Sequence, residues 1–164
     1  IAVRQPFADL IVLGIKRIEN RTRITHFRGN VLIHASKGRP WIEDVGARDA
    51  ARLRTFSCDM ETGDYYPVRG AIVGIARITR CVTESRDRFF EGPVGWVLTD
   101  AVAFRDPIPA LGTLGFFYVP LRLLKGTKAA RAKRKPWPRR CSILACAIAS
   151  HRRCCAARKP PRRS

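Results

Sequence analysis

The sequence predicts a small α+β domain, a β-barrel of five to six strands with two inserted helices, followed by a disordered basic tail. Three observations support this. β-Prone runs recur from Ile1 to Val119, two segments with helical spacing of apolar residues interrupt them, and the pattern stops beyond Pro120. A chain of 164 residues is long enough for one domain with a proper core and too short for two full ones. We therefore expect a domain over residues 1–121 and a tail over residues 122–164.

The first predicted elements are a short strand and a short helix. Ile1–Val3 is a β-prone run that ends before Pro6, and proline suits the first position of a helix. Apolar residues then recur at helical spacing from Phe7 as far as Gly14, which suits a helix C-cap. After a polar stretch, the run Val31–Ala35 predicts a buried central strand.

A second helix and the later strands follow. We expect the helix from Pro40 to near Arg54, since apolar and polar residues alternate there at helical spacing. Its apolar side would hold Trp41, Ile42, Val45, Ala50 and Leu53, and its polar side Glu43, Asp44, Arg48, Asp49 and Arg52. Three strands are expected after it: a long one over 71–82, one over 95–104, and a last one, Phe116–Val119, after a turn-rich link. Gly74 would let the long strand bend, and long bent strands favour a barrel.

The positive charge is concentrated in the tail. Residues 1–121 hold 17 Lys and Arg against 13 Asp and Glu, a net +4, whereas residues 122–164 hold 15 and none, a net +15. Such a run repels itself when compact and is attracted to polyanions. We expect a disordered arm that binds nucleic acid or an anionic surface without sequence preference. A tail without a selected role is an equal alternative.

Cysteine spacing and hydropathy argue against other classes. Cys58 and Cys81 lie alone in the domain, and no two cysteines have the C-x-x-C spacing of a zinc or redox site. We interpret them as free thiols in a reducing cytoplasm and expect no metal and no cofactor. No secretory pattern opens the chain, and the apolar tail stretch 143–149 is far shorter than the roughly 20 residues of a membrane span. A soluble, cytoplasmic protein without a membrane span is expected.

The densest polar cluster of the domain is Gly14–Arg21. If the segment is extended, Glu19 and Arg21 share one face and Lys16 lies on the other, although a bend before the strand would bring Lys16 to Glu19. A paired Lys and Glu in a cleft can bind phosphate through the ammonium and accept protons through the carboxylate. The charge pattern alone favours the alternative, an ordinary surface ion pair.

Several sequence blocks together resemble the ASCH (activating signal cointegrator homology) family, whose signature is the G-x-K-x-x-E-x-R pattern. The blocks are Ile1–Ala8, Gly14–Arg21, Arg28–Ser36, Gly70–Gly74, Cys81–Val82, Gly95–Leu98 and Gly115–Phe117. The short pattern is weak by itself. The blocks occur in the family's order and extend over nearly all of residues 1–120, so an accidental similarity is improbable.

The resemblance implies a PUA-like β-barrel with a cleft beside the first helix, where RNA or a modified nucleoside binds. Three residues match the family's motif and would line this cleft: Lys16, Glu19 and Arg21. Arg4 and Gln5, at the corner between the first strand and the first helix, are expected beside it. Lys37 is expected either to add a phosphate contact or to be a solvated loop lysine.

The resemblance also leaves an enzymatic alternative. Some small bacterial family members are amidohydrolases of acetylated cytidine that rely on a lysine, a threonine and a glutamate. Lys16 matches that lysine, but Glu19 stands at the threonine position, which removes the hydroxyl nucleophile, and neither Thr22 nor Thr25 is at the motif position. Other ASCH proteins are described as ribonucleases, for which Glu19 as general base with Lys16 or His34 would serve. His34 lies in an apolar run, which favours a hydrogen-bonded histidine of the barrel wall instead.

Aromatic side chains can stack on bases, but the strands account for most of them here. We expect four in the core, Trp96, Phe116, Phe117 and Tyr118, and four partly exposed, Phe7, Trp41, Tyr65 and Tyr66.

The leading hypothesis is an RNA-binding domain, with the basic tail adding non-specific affinity for nucleic acid. The first rival is a hydrolase of RNA or a nucleoside, with Glu19 as general base and Lys16 as electrostatic stabiliser. A second rival is a protein in which only the tail binds nucleic acid or anionic lipid while the domain serves another partner. No feature of the sequence indicates an oligomeric state.

Overall fold

The structure is a computed structural model that describes residues 1–59 and 61–124. The tail that we predicted to be disordered lies outside the described residues from residue 125 onward, together with its four cysteines. The domain boundary expected after Leu121 falls at the start of a short helix, Leu121–Leu124, where the described residues end. The boundary therefore stays a prediction.

The elements follow one another in a mixed order of strands and helices. They are β1 (Ala2–Val3), α1 (Phe7–Val12), β2 (Ile18–Arg21), β3 (Gly29–Ala35), a 3₁₀ helix (Ile42–Asp44), α2 (Ala47–Phe56), β4 (Ala71–Val82), β5 (Val94–Pro109) and α3 (Leu121–Leu124). The α+β class is confirmed, and five strands fall within the predicted number. In the described part of the chain, no helix is long and apolar enough to cross a membrane.

The five strands form one sheet in the order β1-β3-β4-β5-β2. β1 is parallel to β3, and the other neighbours are antiparallel. β1 and β2 lie at the two ends of this order, so closure of a barrel by backbone pairing is not shown for the residues that the structure describes. A side chain links the two ends, since Arg21 on β2 donates a hydrogen bond of 2.9 Å to the carbonyl of Ala2 on β1. The sheet therefore curls until its outer strands approach each other.

α1 and the inner face of the sheet form the hydrophobic core. The helix contacts β3, β4 and β5, and its apolar side chains are buried against theirs. The most deeply buried of these include Ile11, Ile33 and Ile78. Each such side chain contributes about 1.5–3 kcal/mol of burial free energy. The core thus fixes α1, and with it the segment that leads into β2.

The single helix predicted from Pro40 to Arg54 is wrong. Gly46 has extended backbone angles (φ −60°, ψ 152°), and it separates the 3₁₀ helix from α2. Because the chain direction changes there, the apolar residues before Gly46 do not share a face with those after it. Trp41 is 46% exposed, whereas Asp49, placed on the polar side by the prediction, is 2% exposed.

The strand predicted at Phe116–Val119 is also wrong. β5 continues through the expected link as far as Pro109, because it pairs with β4 up to Ala71. Residues 110–120 are described and contain no strand, although exposure still alternates along residues 115–120. Phe117 is half-buried, while Phe116 is 46% exposed and Tyr118 fully exposed, so neither of these two belongs to the core as we had expected.

Candidate functional site

Three charged side chains meet where the chain passes from α1 into β2, and we call them the motif cluster: Lys16, Glu19 and Arg21. The Nζ atom of Lys16 lies 3.4 Å from Oε2 of Glu19, and a terminal nitrogen of Arg21 lies 3.1 Å from Oε1 of the same carboxylate. Each carboxylate oxygen therefore faces its own cation. Two positive charges stand against one negative charge, so the cluster as a whole attracts an anion.

The turn after α1 brings Lys16 to the other two residues. Gly14 has φ +71°, a conformation that favours glycine, and its N–H donates to the carbonyl of Ile11 at 2.8 Å. The N–H of Lys16 donates to the carbonyl of Leu10 at 3.0 Å. The chain thus reverses directly after the helix, and Lys16 approaches the face of β2 that carries Glu19. The bend considered from the sequence is confirmed.

Burial distinguishes the motif cluster from a surface ion pair. Lys16 is 4% and Glu19 8% exposed. Burial of a charge is costly unless the charge is paired, so these groups are held in one arrangement. The Lys16 ammonium also donates to the carbonyl of Ile18. The Nε atom of Arg21 is buried, and no group among residues 1–59 and 61–124 hydrogen-bonds to it.

Two aromatic rings flank the Lys16 ammonium. Its Nζ atom lies 5.7 Å from the ring centre of Phe7, on α1, and 5.7 Å from that of Phe89, in the β4–β5 connection. Both distances fall within the range of cation–π attraction. Both rings are only half-buried, so the ammonium sits between two π-surfaces that a planar ligand can also contact.

Further aromatic and cationic groups extend this arrangement on the side of Phe7. Trp41 meets the Phe7 ring edge-on, with centroids 6.4 Å apart. The guanidinium of Arg4 lies 3.9 Å from the centre of the Trp41 ring. Arg4, expected beside the cleft, is therefore connected to Lys16 through two rings. The exposure expected of Phe7 and Trp41 is confirmed.

No pattern in the sequence indicated the groups on the side of Phe89. The guanidinium of Arg88 lies 4.4 Å from the centre of the Phe89 ring, and its NH2 atom lies 2.7 Å from Oδ2 of Asp49 on α2. Asp49 is buried, and its other oxygen has no hydrogen-bond partner among the described residues. These residues are distant in sequence from the motif cluster, so only the folded chain brings them beside it.

Gln5 and Lys37 lie differently from the other predicted site residues. Gln5 is fully buried, and its side-chain amide donates to Asp9 and to the carbonyl of Val68, both at 2.8 Å. Lys37 is exposed, and its side chain packs against Gly70, where an added Cβ would come within 2.9 Å of it. The structure describes no contact between either residue and the motif cluster.

His34 is a buried, hydrogen-bonded residue of β3, as its apolar surroundings in the sequence indicated. It is 2% exposed, its Nε2 atom is 2.9 Å from the carbonyl oxygen of Ala110, and its ring meets Phe117 edge-on. No described contact joins it to Glu19. Within residues 1–59 and 61–124, no group of three or more His, Cys, Asp or Glu side chains could hold a metal ion.

Comparison with known proteins identifies the family. The family model described as "ASCH domain" matches residues 1–101, more than half of the chain. The chain belongs to the ASCH domain family. The resemblance seen in the sequence blocks is thereby confirmed, and the motif cluster lies within the matched part of the ASCH domain.

Curated relatives match part of this ASCH domain. Activating signal cointegrator 1 from Homo sapiens and that from Mus musculus are each 31% identical to it over 86 residues. This stretch is 52% of the chain and 15% of either relative. The chain therefore spans only a small part of the length of the curated relatives it matches.

A solved structure is also similar to this chain. It is described as the crystal structure of ASCH from Zymomonas mobilis, with 20% sequence identity and a TM-score of 0.38. The aligned region covers 84% of this chain and 81% of that one.

Proposed function

We propose that this ASCH domain binds RNA, or a modified nucleoside, at the motif cluster of Lys16, Glu19 and Arg21. One observation carries the proposal. A buried, positively charged cluster, rigidly paired around Glu19, lies beside two half-exposed aromatic rings. A nucleotide carries an anionic phosphate and a planar base, which suit the cations and the aromatic rings respectively.

The phosphate would be bound by the cations of the cluster. An ammonium group has three N–H donors, and those of Lys16 are directed at the carbonyl of Ile18 and at Glu19. One donor is left for a phosphate oxygen. The Arg21 guanidinium, whose side chain is partly exposed, offers a second cation next to it. The pairing with Glu19 keeps both cations in place before the ligand arrives, which reduces the entropy lost on binding.

The base would stack on the aromatic rings beside Lys16. Phe7, Phe89 and Trp41 are only partly buried, and stacking on such rings contributes about 1–3 kcal/mol per base. Arg4, above Trp41, adds a cation at the edge of this surface. We leave Gln5 out of the binding surface because its amide is fully engaged inside the protein. Lys37 would contribute only a long-range charge.

Removing the charge of Lys16 tests the proposal. In the full chain, Lys16→Met keeps most of the apolar stem and deletes the ammonium. We expect the dissociation constant for single-stranded RNA to rise by about tenfold or more, since a hydrogen bond to a charged group contributes about 1.5 kcal/mol or more. Fluorescence anisotropy with a labelled oligonucleotide at several salt concentrations measures the change.

The matched control is the adjacent residue, Arg17, which is exposed and lies outside the cluster. Arg17→Met deletes the same charge, so it reports the non-specific electrostatic part alone. If the two variants weaken RNA binding equally, the motif cluster is not the binding site. If a synthetic peptide of residues 122–164 binds RNA as tightly as the full chain, the tail supplies the affinity and the domain's ligand is something else. Thermal unfolding of both variants checks that they are folded.

The hydrolase alternative rests on the 3.4 Å approach of Lys16 to Glu19, which is suitable for a general base beside a cation. The same titrations decide it when the RNA is recovered and examined for cleavage. Cleavage that Glu19→Gln abolishes, while RNA binding persists, would favour the enzyme. Intact RNA in every sample would favour the binding domain.

A further inference from the structure

A second set of aromatic rings adjoins the motif cluster on its other side. The guanidinium carbon of Arg21 lies 5.3 Å from the centre of the Trp96 ring. Phe116 stacks on the same indole, with centroids 5.1 Å apart and an interplanar angle of 17°. Phe27 leans against Phe116 at 5.3 Å and 52°. Arg21 thus links the cluster to a row of three rings.

The two rings of this row beyond Trp96 are exposed. Trp96 is 6% exposed, but Phe116 is 46% and Phe27 43% exposed. Large aromatic rings normally lose such surface to the core, so a pair of half-exposed rings beside a polar site indicates a contact surface. We call Phe27 and Phe116 the aromatic platform.

Hydrogen bonds fix the residues that support the aromatic platform. The indole N–H of Trp96 donates to the carbonyl of Arg23 at 3.0 Å, which fixes the ring against the loop after β2. A guanidinium nitrogen of Arg28 donates to the carbonyls of Thr25 and Phe27 at 2.6 and 2.8 Å. These bonds order the loop that carries Phe27. A preformed stacking surface loses little entropy when a ligand binds.

The charge around the aromatic platform favours an anionic occupant. Between Glu19 and Glu43 the sequence contains five Lys and Arg residues and no Asp or Glu. Arg21 lies beside the row at Trp96, and Arg28 donates a hydrogen bond to the backbone of Phe27. Exposed rings with neighbouring arginines are the combination with which proteins bind single-stranded nucleic acid.

We propose that the aromatic platform is a stacking site for an unpaired base of single-stranded RNA, one to a few nucleotides along the strand from the nucleotide held by the motif cluster. This inference rests on the proposed function and specifies its ligand as an oligonucleotide rather than a lone nucleoside. The steps from Arg21 to Trp96 and from Trp96 to Phe116 are 5.3 and 5.1 Å. A few stacked nucleotides, rising about 3.4 Å each, cover that separation.

The test compares Phe116→Ala, Phe116→Leu and Lys16→Met in the full chain. Each is titrated with a single-stranded RNA hexanucleotide by anisotropy and with a mononucleotide by calorimetry. We expect Phe116→Ala to weaken binding of the hexanucleotide on the order of tenfold and to leave binding of the mononucleotide unchanged. Phe116→Leu should weaken it nearly as much, because leucine restores apolar area without a π-face. Tyr66→Ala, which removes an aromatic residue 65% exposed on the loop after α2, is the control and should have no effect.

The outcomes separate this inference from the proposed function. If Lys16→Met loses affinity for the hexanucleotide but Phe116→Ala does not, the stacking site is overturned and the motif cluster remains as the binding site. Full hexanucleotide affinity in Phe116→Leu also overturns it, and indicates an apolar surface for a protein partner. Hexanucleotide binding no tighter than mononucleotide binding in the unmodified chain overturns it as well. If none of the variants weakens either ligand, the proposed function fails too.

Discussion

At the scale of single residues, a buried carboxylate on α1 shows how the protein supports the candidate site. Asp9 accepts hydrogen bonds from Gln5 at 2.8 Å and from the hydroxyl of Tyr65 at 2.6 Å. Burial raises the pKa of Asp9 above its ordinary value of 3.8, and the bonds from Gln5 and Tyr65 oppose that rise. Burial, followed by the charge of Asp9, raises the pKa of Tyr65. The network anchors α1, which carries Phe7, to the loop after α2.

The direction of this pKa shift fixes how stability depends on pH. Because the folded-state pKa of Asp9 lies above the unfolded value, the folded protein holds the proton more tightly. The contribution of Asp9 to stability is therefore most favourable below pH 3.8 and declines as the pH rises through the raised pKa. The hydrogen bond from Tyr65 limits this decline, because it stabilises the ionised carboxylate.

Tyr65→Phe should thus destabilise the protein in a pH-dependent way. We expect the loss to be larger at pH 7 than near pH 3.5, because ionisation of Asp9 increases with pH and a hydrogen bond to a charged group contributes about 1.5–3 kcal/mol. Urea unfolding of both proteins at the two pH values measures the difference. Tyr66→Phe, on an exposed neighbour, should change little at either pH. An equal loss for Tyr65→Phe at both values would contradict the charge-dependent bond.

At the scale of elements, β4 has irregular pairing where β5 and α1 come closest to it. The pairing of β4 with both neighbours is irregular near Gly74, which pairs with Ile33 on β3 and with Ala103 on β5. A Cβ added to Gly74 would lie 2.3 Å from the carbonyl oxygen of Val102 and 2.6 Å from Cγ1 of Val12 on α1. The glycine thus permits the helix and two strands to approach each other at one point.

Gly74→Ala tests this close approach. Neither the backbone of β5 nor the buried side chain of α1 can move aside freely, so we expect a destabilisation of about 1–3 kcal/mol. Gly46→Ala is the control, because Gly46 has a negative φ and open space at its Cβ position. It should stay within about 0.5 kcal/mol of the unmodified protein. Denaturant unfolding compares the two, and equal stabilities would mean that β4 can shift to accept a side chain.

Local sequence patterns predicted the features of each element that depend only on residues close together in the chain. The strand period placed Glu19 and Arg21 on one face of β2, and the proline and glycine at its ends delimited α1. Patterns failed where distant pairing decides the outcome. β5 runs past its expected end because β4 offers partners as far as Ala71.

The residues of the candidate site that belong to the motif were predictable, and those brought there by long-range contacts were not. The motif supplied the three cluster residues, but Phe89 reaches Lys16, and Arg88 reaches Phe89 and Asp49, only because β4 and β5 pair and return their connection to α1 and α2. Gln5 was expected beside the ligand, and its position at the corner between β1 and α1 gave no sign of Val68, 63 residues away, as its partner. Long-range contacts of this kind leave no local period in the sequence.

At the scale of the whole molecule, the charge is divided between two parts with different expected roles. Residues 1–121 carry a net +4, and residues 122–164 a net +15. Contacts between dispersed cations and phosphates stabilise a complex through counterion release. This contribution falls steeply as the salt concentration rises. The motif cluster holds few charges but fixes them in position, so its share of the affinity should persist when salt screens the rest.

A salt series on the full chain should therefore separate the two parts. For single-stranded RNA, each neutralised contact steepens the negative slope of log K against log salt by about 0.7. Replacing five tail residues by glutamine should make the slope shallower by up to about 3.5 and have little effect on affinity at high salt; they are Lys133, Arg134, Lys135, Arg139 and Arg140. Lys16→Met should make the slope shallower by no more than about 0.7, yet weaken binding at every salt concentration. A tail variant with an unchanged slope would mean that the tail does not contact RNA. If Lys16→Met matched the unmodified chain at high salt, the motif cluster would add only non-specific charge.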